Sequence, residues 1–242
     1  YIPTDLNRML EANLLDLGPI SSIAYARNYR EYMLMPEISV SADGEVKSIY
    51  LFSKLPIEQL HRKRIALTNI SATSQALLKI IMARYYNLVP EYFVSAPELG
   101  AMLLEADAAL LIGDDALRAR YKMQNRLYVY DLGQEWKKFT GLPMVFAVWA
   151  IRRDYAREHM EELRLIKQTF IDSFKFSLEN IEDVAAKAAQ WEDFPAQYLV
   201  DYFRSLRFDF DTRQQEGLSE YYRQAKNQGV LEEAAPLEFL EI

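Results

Sequence analysis

From Arg64 to Arg152 the sequence alternates short apolar runs with helical stretches, and this alternation constrains the fold more than any other feature. "KRIALT" reads as a strand and "SATSQALLKIIMARYY" as a helix. "LGAMLLEADAALLIGDDALRARY" reads as a helix, a strand and the start of another helix. "LYVYDL" is a strand followed by the helical "GQEWKKFTG", and "LPMVFAVWAIRR" is a long extended run. Strands separated by helices of this length pair through crossovers, which predicts an α/β fold with mixed, mostly parallel sheets covered by flanking helices. Upstream, "PTDLNRMLEANLLDLGPISS" reads as a helix and a strand, and "SSIAYARNY" as a helix capped by Ser21 or Ser22. "EISVSADGEVKSIYLFSK" reads as strand, Asp43-Gly44 turn and strand. After Asp154 the pattern is almost wholly helical, with the last helix stopping at Gly229.

The extended runs "VKSIYLFSK" and "LPMVFAVWAIRR" bracket the middle section. Two crossings around an inserted lobe describe a clamshell with its site between the lobes. On this reading residues 1–55 and 145–242 form a discontinuous first lobe with a helical C-terminal region, and 56–144 form the second. The sequence opens at Tyr1 without a methionine, and further residues are expected upstream, among them a first strand of the first lobe.

Composition removes several functional classes. The net charge of -7, from 28 basic and 35 acidic residues, repels nucleic acid and anionic membranes on average, so an anionic ligand needs a local cluster of donors. The absence of cysteine excludes disulfides, thiolate metal sites and a cysteine nucleophile. His61 lies beside "RKR" and His159 in a charged helical run, both read as solvated surface residues. The longest apolar run, "LPMVFAVWAI", falls short of the roughly 18 residues a membrane helix needs. No metal or cofactor motif is present, and stable membrane insertion is not expected.

The stretch "RIALTNISATSQALLKI" carries the most chemical information. A strand feeding a helix through Ser71, Ala72, Thr73 and Ser74 places the free N–H groups of a first helical turn beside three hydroxyls, a receptor for a carboxylate or phosphate. The plainer reading is a cap, worth about 1 kcal/mol, with nothing bound; without a glycine-rich phosphate loop it takes precedence on the residues alone. Ser21 and Ser22 repeat the pattern, and "ALLIGDDAL" ends a strand at Gly113 and Asp114, where a missing side chain admits a ligand to the backbone. Ligands of parallel sheets bind beyond the carboxyl ends of the strands, so these ends suggest one polar crevice. Asp114 and Asp115 also suit the plain start of a helix. Tyr85-Tyr86 and Tyr221-Tyr222 fall on helices, where packing is the default role.

Taken in order, "ISSIAYARN", "ISVSADGEVKSIYLFSK", "LTNISATSQALLKI", "ADAALLIGDDAL", "YDLGQEWKKFTGLPMVFAVWAIR" and the closing "LEFLEI" resemble the chorismate dehydratase family of the futalosine route to menaquinone, over nearly the whole chain. The resemblance implies a two-lobed fold like type II periplasmic-binding proteins and a cytoplasmic hydro-lyase that needs no cofactor. Its implied substrate is chorismate, a small dicarboxylate, converted with loss of water to 3-[(1-carboxyvinyl)oxy]benzoate. It implies that Ser71, Thr73 and Ser74 anchor one carboxylate, that Ser21 and Ser22 face them from the other lobe, and that Gly113 and Asp114 line the floor. Ser48, at the crossing, becomes the candidate hydroxyl near the leaving group. With no histidine base evident, a substrate carboxylate is expected to take the ring proton. Family members carry an asparagine in a segment like "YLN" facing the substrate; the sequence here begins after that region.

Two alternatives stay open at this level: the sister dihydroxynaphthoate synthase of the same route, and a non-catalytic solute-binding protein for a small carboxylate. The "DLGQEWKKFTGLP" and "SSIAYAR" runs point away from the sister enzyme. Oligomeric state is not legible in the sequence.

Overall fold

In the computed structural model, residues 3–123 and 127–242 are described. The chain builds two sheets. The first holds β1 (Leu17–Ser21), β2 (Tyr32–Ala42), β8 (Met144–Arg152) and β9 (Arg207–Phe210) in the order β1-β8-β2-β9, all neighbours antiparallel. The second holds β3 (Ile49–Ser53), β4 (Arg64–Thr68), β5 (Glu91–Ser95), β6 (Ala108–Ile112) and β7 (Tyr128–Asp131) in the order β5-β4-β6-β3-β7. Here β4 runs parallel to β5 and β6, while β3 runs antiparallel to β6 and β7. Between these strands parallel pairing is therefore confined to the neighbours of β4, so the first sheet is antiparallel and the second mixed.

Asp43-Gly44 turns the chain between two strands, as read, and lies on the first crossing because β2 and β3 belong to different sheets. Two expectations change. Residues 49–53, assigned from sequence to the first lobe, hydrogen bond along β6 and β7 in the second sheet, so the crossing ends before residue 49 rather than at 55. The stretch after Asp154 contains β9, which adds to the edge of β2. That strand was hidden because "RFDF" is short and charged. β5 likewise escaped notice, being an edge strand with its residues partly exposed.

The helices are α1 (Pro3–Glu11), α2 (Ser22–Arg27), α3 (Ala72–Ile80), α4 (Leu99–Glu105), α5 (Gly113–Lys122), α6 (Leu132–Thr140), α7 (Arg153–Glu158), α8 (Met160–Glu179), α9 (Ile181–Ala188), α10 (Ala196–Phe203) and α11 (Thr212–Asn227). On β3 the pleat sends alternate residues to two cores: Ile49 and Leu51 pack with Leu67, Leu77 and Trp136, and Tyr50 and Phe52 with Met102 and Ala116. The first of these cores is continuous with Ile20, Leu34 and Val148 of the first sheet and with Tyr221 and Tyr222 of α11. Ile181, Ala185, Leu199 and Val200, the apolar faces of α9 and α10, bury against Leu117 of α5. Part of the C-terminal region thus packs on the second sheet's helices rather than on the first lobe.

α11 lies so close to the start of β8 that a Cβ on Gly217 would collide with the Pro143 carbonyl oxygen. Gly217→Ala is expected to lower stability by about 1–3 kcal/mol through overpacking, measurable by urea unfolding. The Tyr25 hydroxyl donates to Pro236 O at 3.0 Å and accepts from Glu238 N–H at 3.2 Å, fastening the C-terminal strap to α2. Burial raises its pKa from 10.0 to about 12. In the unfolded chain the phenol ionises near its ordinary value, whereas the folded one keeps its proton longer. Its contribution is intact below pH 10 and lost as pH rises to about 12. Unfolding free energies across that window should fall less steeply for Tyr25→Phe, by up to about 1.4 kcal/mol per pH unit.

Candidate functional site

β4, β6 and β7 all point one way and β3 the other, so the carboxyl ends of the first three and the beginning of β3 share one edge of the second sheet. Ser71–Ser74 follow β4, Gly113 and Asp114 follow β6, Asp131 closes β7, and Ser48 precedes β3. Every sequence candidate other than Ser21 and Ser22 therefore stands on this edge. β6 lies between β4 and β3, which separates the Ser71–Ser74 turn from Ser48 by two strand spacings, about 10 Å.

The edge carries two groups. In the first, Thr73 Oγ1 accepts the Ile23 N–H of α2 at 3.1 Å, joining the start of α3 to the end of β1. Ser71 caps α3: its Oγ accepts Ser74 N–H at 3.2 Å and donates to Ser74 Oγ at 2.9 Å. Ser22 Oγ donates to Val145 O at 2.7 Å, and Ser21 pairs with Asn7 through both its N–H and its Oγ. All five side chains are buried. Capping and cross-sheet docking thus engage these hydroxyls, and a ligand here would compete with protein partners.

In the second group, Ser48 immediately precedes β3 and is buried. The Ser48 carbonyl accepts Gly113 N–H at 2.7 Å, and Gly113 takes φ +58, the left-handed region that glycine enters without strain. Asp114, in the first turn of α5, is exposed. Ser48 Oγ donates to Val46 O at 3.5 Å; burial raises the pKa of Tyr202 on α10, the nearby Ser48 hydroxyl lowers it and the Asp114 charge raises it. Tyr202 also lines a cleft of about 720 Å³ together with Lys47, Tyr50, Arg120, Lys138 and Tyr198. Burial pushes the Tyr50 pKa up, the neighbouring Asp131 adds to the rise, and Arg120 opposes it. The cleft is walled by phenols, and its charged lining is mixed, Lys47, Arg120 and Lys138 standing with Glu45, Asp131, Glu135 and Asp201.

Asp131 and Tyr202 were not among the sequence candidates. Asp131 sits in "YDLG", where a reading for helix starts sees an ordinary cap, and it does accept Gln134 N–H at 3.1 Å. Tyr202 reaches the site only because α10 folds back on α5, which no local pattern announces. Gly133 is the second glycine that packing requires: a Cβ there would collide with the Gly44 carbonyl oxygen. The histidines lie elsewhere. His61 Nδ1 accepts Val89 N–H at 3.3 Å on the surface, and His159 stacks on Tyr155 at 3.9 Å. Among the described residues, no group of three or more His, Asp or Glu is placed to hold a metal ion, and no helix is long and apolar enough to cross a membrane.

Two sheets joined by two crossings, with candidate residues on the strand ends where they meet, define the periplasmic-binding-protein fold. The periplasmic aliphatic sulphonate binding protein SsuA from Escherichia coli superimposes with a TM-score of 0.69 at 14% identity, covering 97% of this chain and 77% of that one. Protein AF1704 from Archaeoglobus fulgidus gives 0.75 at 24% identity, covering 96% and 85%. Within this fold the chain belongs to the menaquinone biosynthesis family, whose model matches residues 2–227. It is 32% identical over 235 residues to a chorismate dehydratase of Thermus thermophilus, covering 91% of this chain and 83% of that protein.

Ser71→Ala should cost about 1 kcal/mol of stability through the lost cap, and Ser71→Asn should restore most of it, both read from urea unfolding.

Proposed function

We propose that this protein is a chorismate dehydratase of menaquinone biosynthesis, forming 3-[(1-carboxyvinyl)oxy]benzoate and water. The observation that carries the reading is the 32% identity with the Thermus thermophilus chorismate dehydratase across 91% of the chain. The site chemistry supports it. In this hydro-lyase reaction a ring hydroxyl departs as water, a ring proton leaves, and the ring becomes aromatic. Aromatisation supplies the driving force, so the protein's task is to hold the ring, exclude bulk water and assist the hydroxyl.

Ser48 is assigned as the group beside the leaving hydroxyl. It is buried at the strand edge, next to the Tyr202 phenol and the phenol-walled cleft. The N–H groups and hydroxyls of Ser71, Thr73 and Ser74 are assigned to one substrate carboxylate, with Ser21 and Ser22 opposite and Gly113 and Asp114 as the floor. This requires the Thr73 bond to Ile23 N–H to exchange for ligand, which a hinged two-lobed protein achieves by a small change in lobe angle. With both histidines away from this edge, a substrate carboxylate serves as the base for the ring proton. The site lies within a chain of net charge -7, so recognition of a dianion rests on local donors rather than the average field.

Incubation with chorismate, followed by chromatography and mass spectrometry, is expected to yield a product lighter by one water. Ser48→Ala should lower kcat by about a hundredfold, the cost typical of a lost transition-state hydrogen bond, with chorismate still bound. A folded protein that binds chorismate and leaves it unchanged would replace the dehydratase reading with a solute-binding one.

A further inference from the structure

The crossing that presents Ser48 has no sheet to hold it. Val46 and Lys47 lie between β2 and β3, and among the described residues no backbone carbonyl receives their N–H groups. One side chain takes both. Val46 N–H donates to Oδ1 and Oδ2 of Asp131, each at 3.1 Å, and Lys47 N–H donates to Oδ2 at 2.7 Å. The same carboxylate accepts Gln134 N–H at the start of α6. Three backbone donors on one buried carboxylate make a charge-assisted clamp.

The clamp holds an unfavourable conformation. Lys47 has φ 60, in the left-handed region, which costs a residue with a Cβ on the order of 1 kcal/mol. After this reversal the Ser48 carbonyl accepts Gly113 N–H at 2.7 Å, and its hydroxyl donates to Val46 O at 3.5 Å. On the other side of the crossing, Ser205 Oγ lies 3.1 Å from Val46 O and 2.6 Å from Tyr202 O, one hydroxyl proton shared between the two carbonyls. Gly133 completes the arrangement: only a residue without Cβ lets α6 approach the Gly44 carbonyl closely enough for Asp131 to reach Val46 and Lys47.

We propose that Asp131 is a positioning residue for Ser48: by binding the N–H groups of Val46 and Lys47 it fixes the left-handed turn that aims the Ser48 hydroxyl at the reacting group. This rests on the dehydratase reading for its kinetic consequence, and on the hydrogen-bond geometry for the clamp itself. Asparagine at 131 keeps the shape but turns an NH2 group toward donors that need an acceptor, so the turn relaxes and Ser48 swings away. A displacement of about 1 Å at such a group costs roughly ten- to a hundredfold in rate.

The test is a double-mutant cycle on chorismate turnover with Ser48→Ala and Asp131→Asn, together with amide hydrogen exchange over residues 46–48. Asp131→Asn is expected to lower kcat about ten- to a hundredfold with KM nearly unchanged. The double variant should be no slower than Ser48→Ala alone, because a residue acting through Ser48 has nothing left to position. Wild-type kcat in folded Asp131→Asn, or losses that multiply, would overturn the proposal. If the wild-type protein leaves chorismate intact, the dehydratase reading fails by itself and exchange decides the clamp. About tenfold faster exchange at 46–48 in Asp131→Asn supports it, and unchanged exchange overturns it. Should Asp131→Asn not fold, Asp131→Glu, which keeps the acceptor but lengthens it by one methylene, is measured against the same criteria.

Discussion

Tyr221 and Tyr222, adjacent on α11, are wholly buried, and neither phenol can stay there without a hydrogen-bond acceptor. Tyr221 donates to Thr73 O at 3.2 Å and Tyr222 to Ser22 O at 2.8 Å. Those carbonyls lie in the first turns of α3 and α2, the first of which follows a strand of the second sheet and the other a strand of the first. Two neighbouring side chains on one helix thereby fix both helix starts, and the Ile23 N–H to Thr73 contact follows from the distance they impose. Burial raises both phenol pKa values, so these bonds persist through the neutral range. The seam between the sheets, and the candidate hydroxyls along it, depend on this pair.

A single strand edge then collects everything else. Because β3 enters the second sheet between β6 and β7 and runs against both, its beginning lies among their ends. A crossing segment, two helix starts and a buried carboxylate come within reach of one another without being close in sequence. Ser48 and the Ser71–Ser74 turn nevertheless stand two strands apart on that edge, one near Tyr202 and the other at the seam with α2. A substrate with two carboxylates on a ring is a natural occupant of an edge that offers separated donor groups.

The run "YDLGQEWKKFTG" shows how dense local sequence information becomes once its contacts are visible. Asp131 caps α6 and holds the crossing, Gly133 admits the Gly44 carbonyl, and Glu135 accepts the Tyr86 hydroxyl at 2.5 Å and the Lys138 ammonium at 2.7 Å. Trp136 donates to Pro143 O at 3.2 Å, and Gly141 ends the helix at φ +75. The cap and the glycine stop were legible because they act within a few residues. The clamp on Val46 and Lys47 was not, because its donors lie 85 and 84 positions upstream.

By itself the sequence determined the α/β class and most of the strands and helices, since apolar periodicity and capping residues act over distances shorter than a helix. It also determined which short polar turns end β1, β4 and β6. Tertiary structure decided what those turns do: that Ser71 caps α3, that Thr73 docks α2, and that Ser48 lies near Tyr202 of α10. It decided too that "RFDF" becomes a strand. The physical reason is common to all of these. A hydroxyl or a strand edge is satisfied by whichever partner the packed chain brings within about 3 Å, and that partner is chosen by the burial of residues far away in sequence.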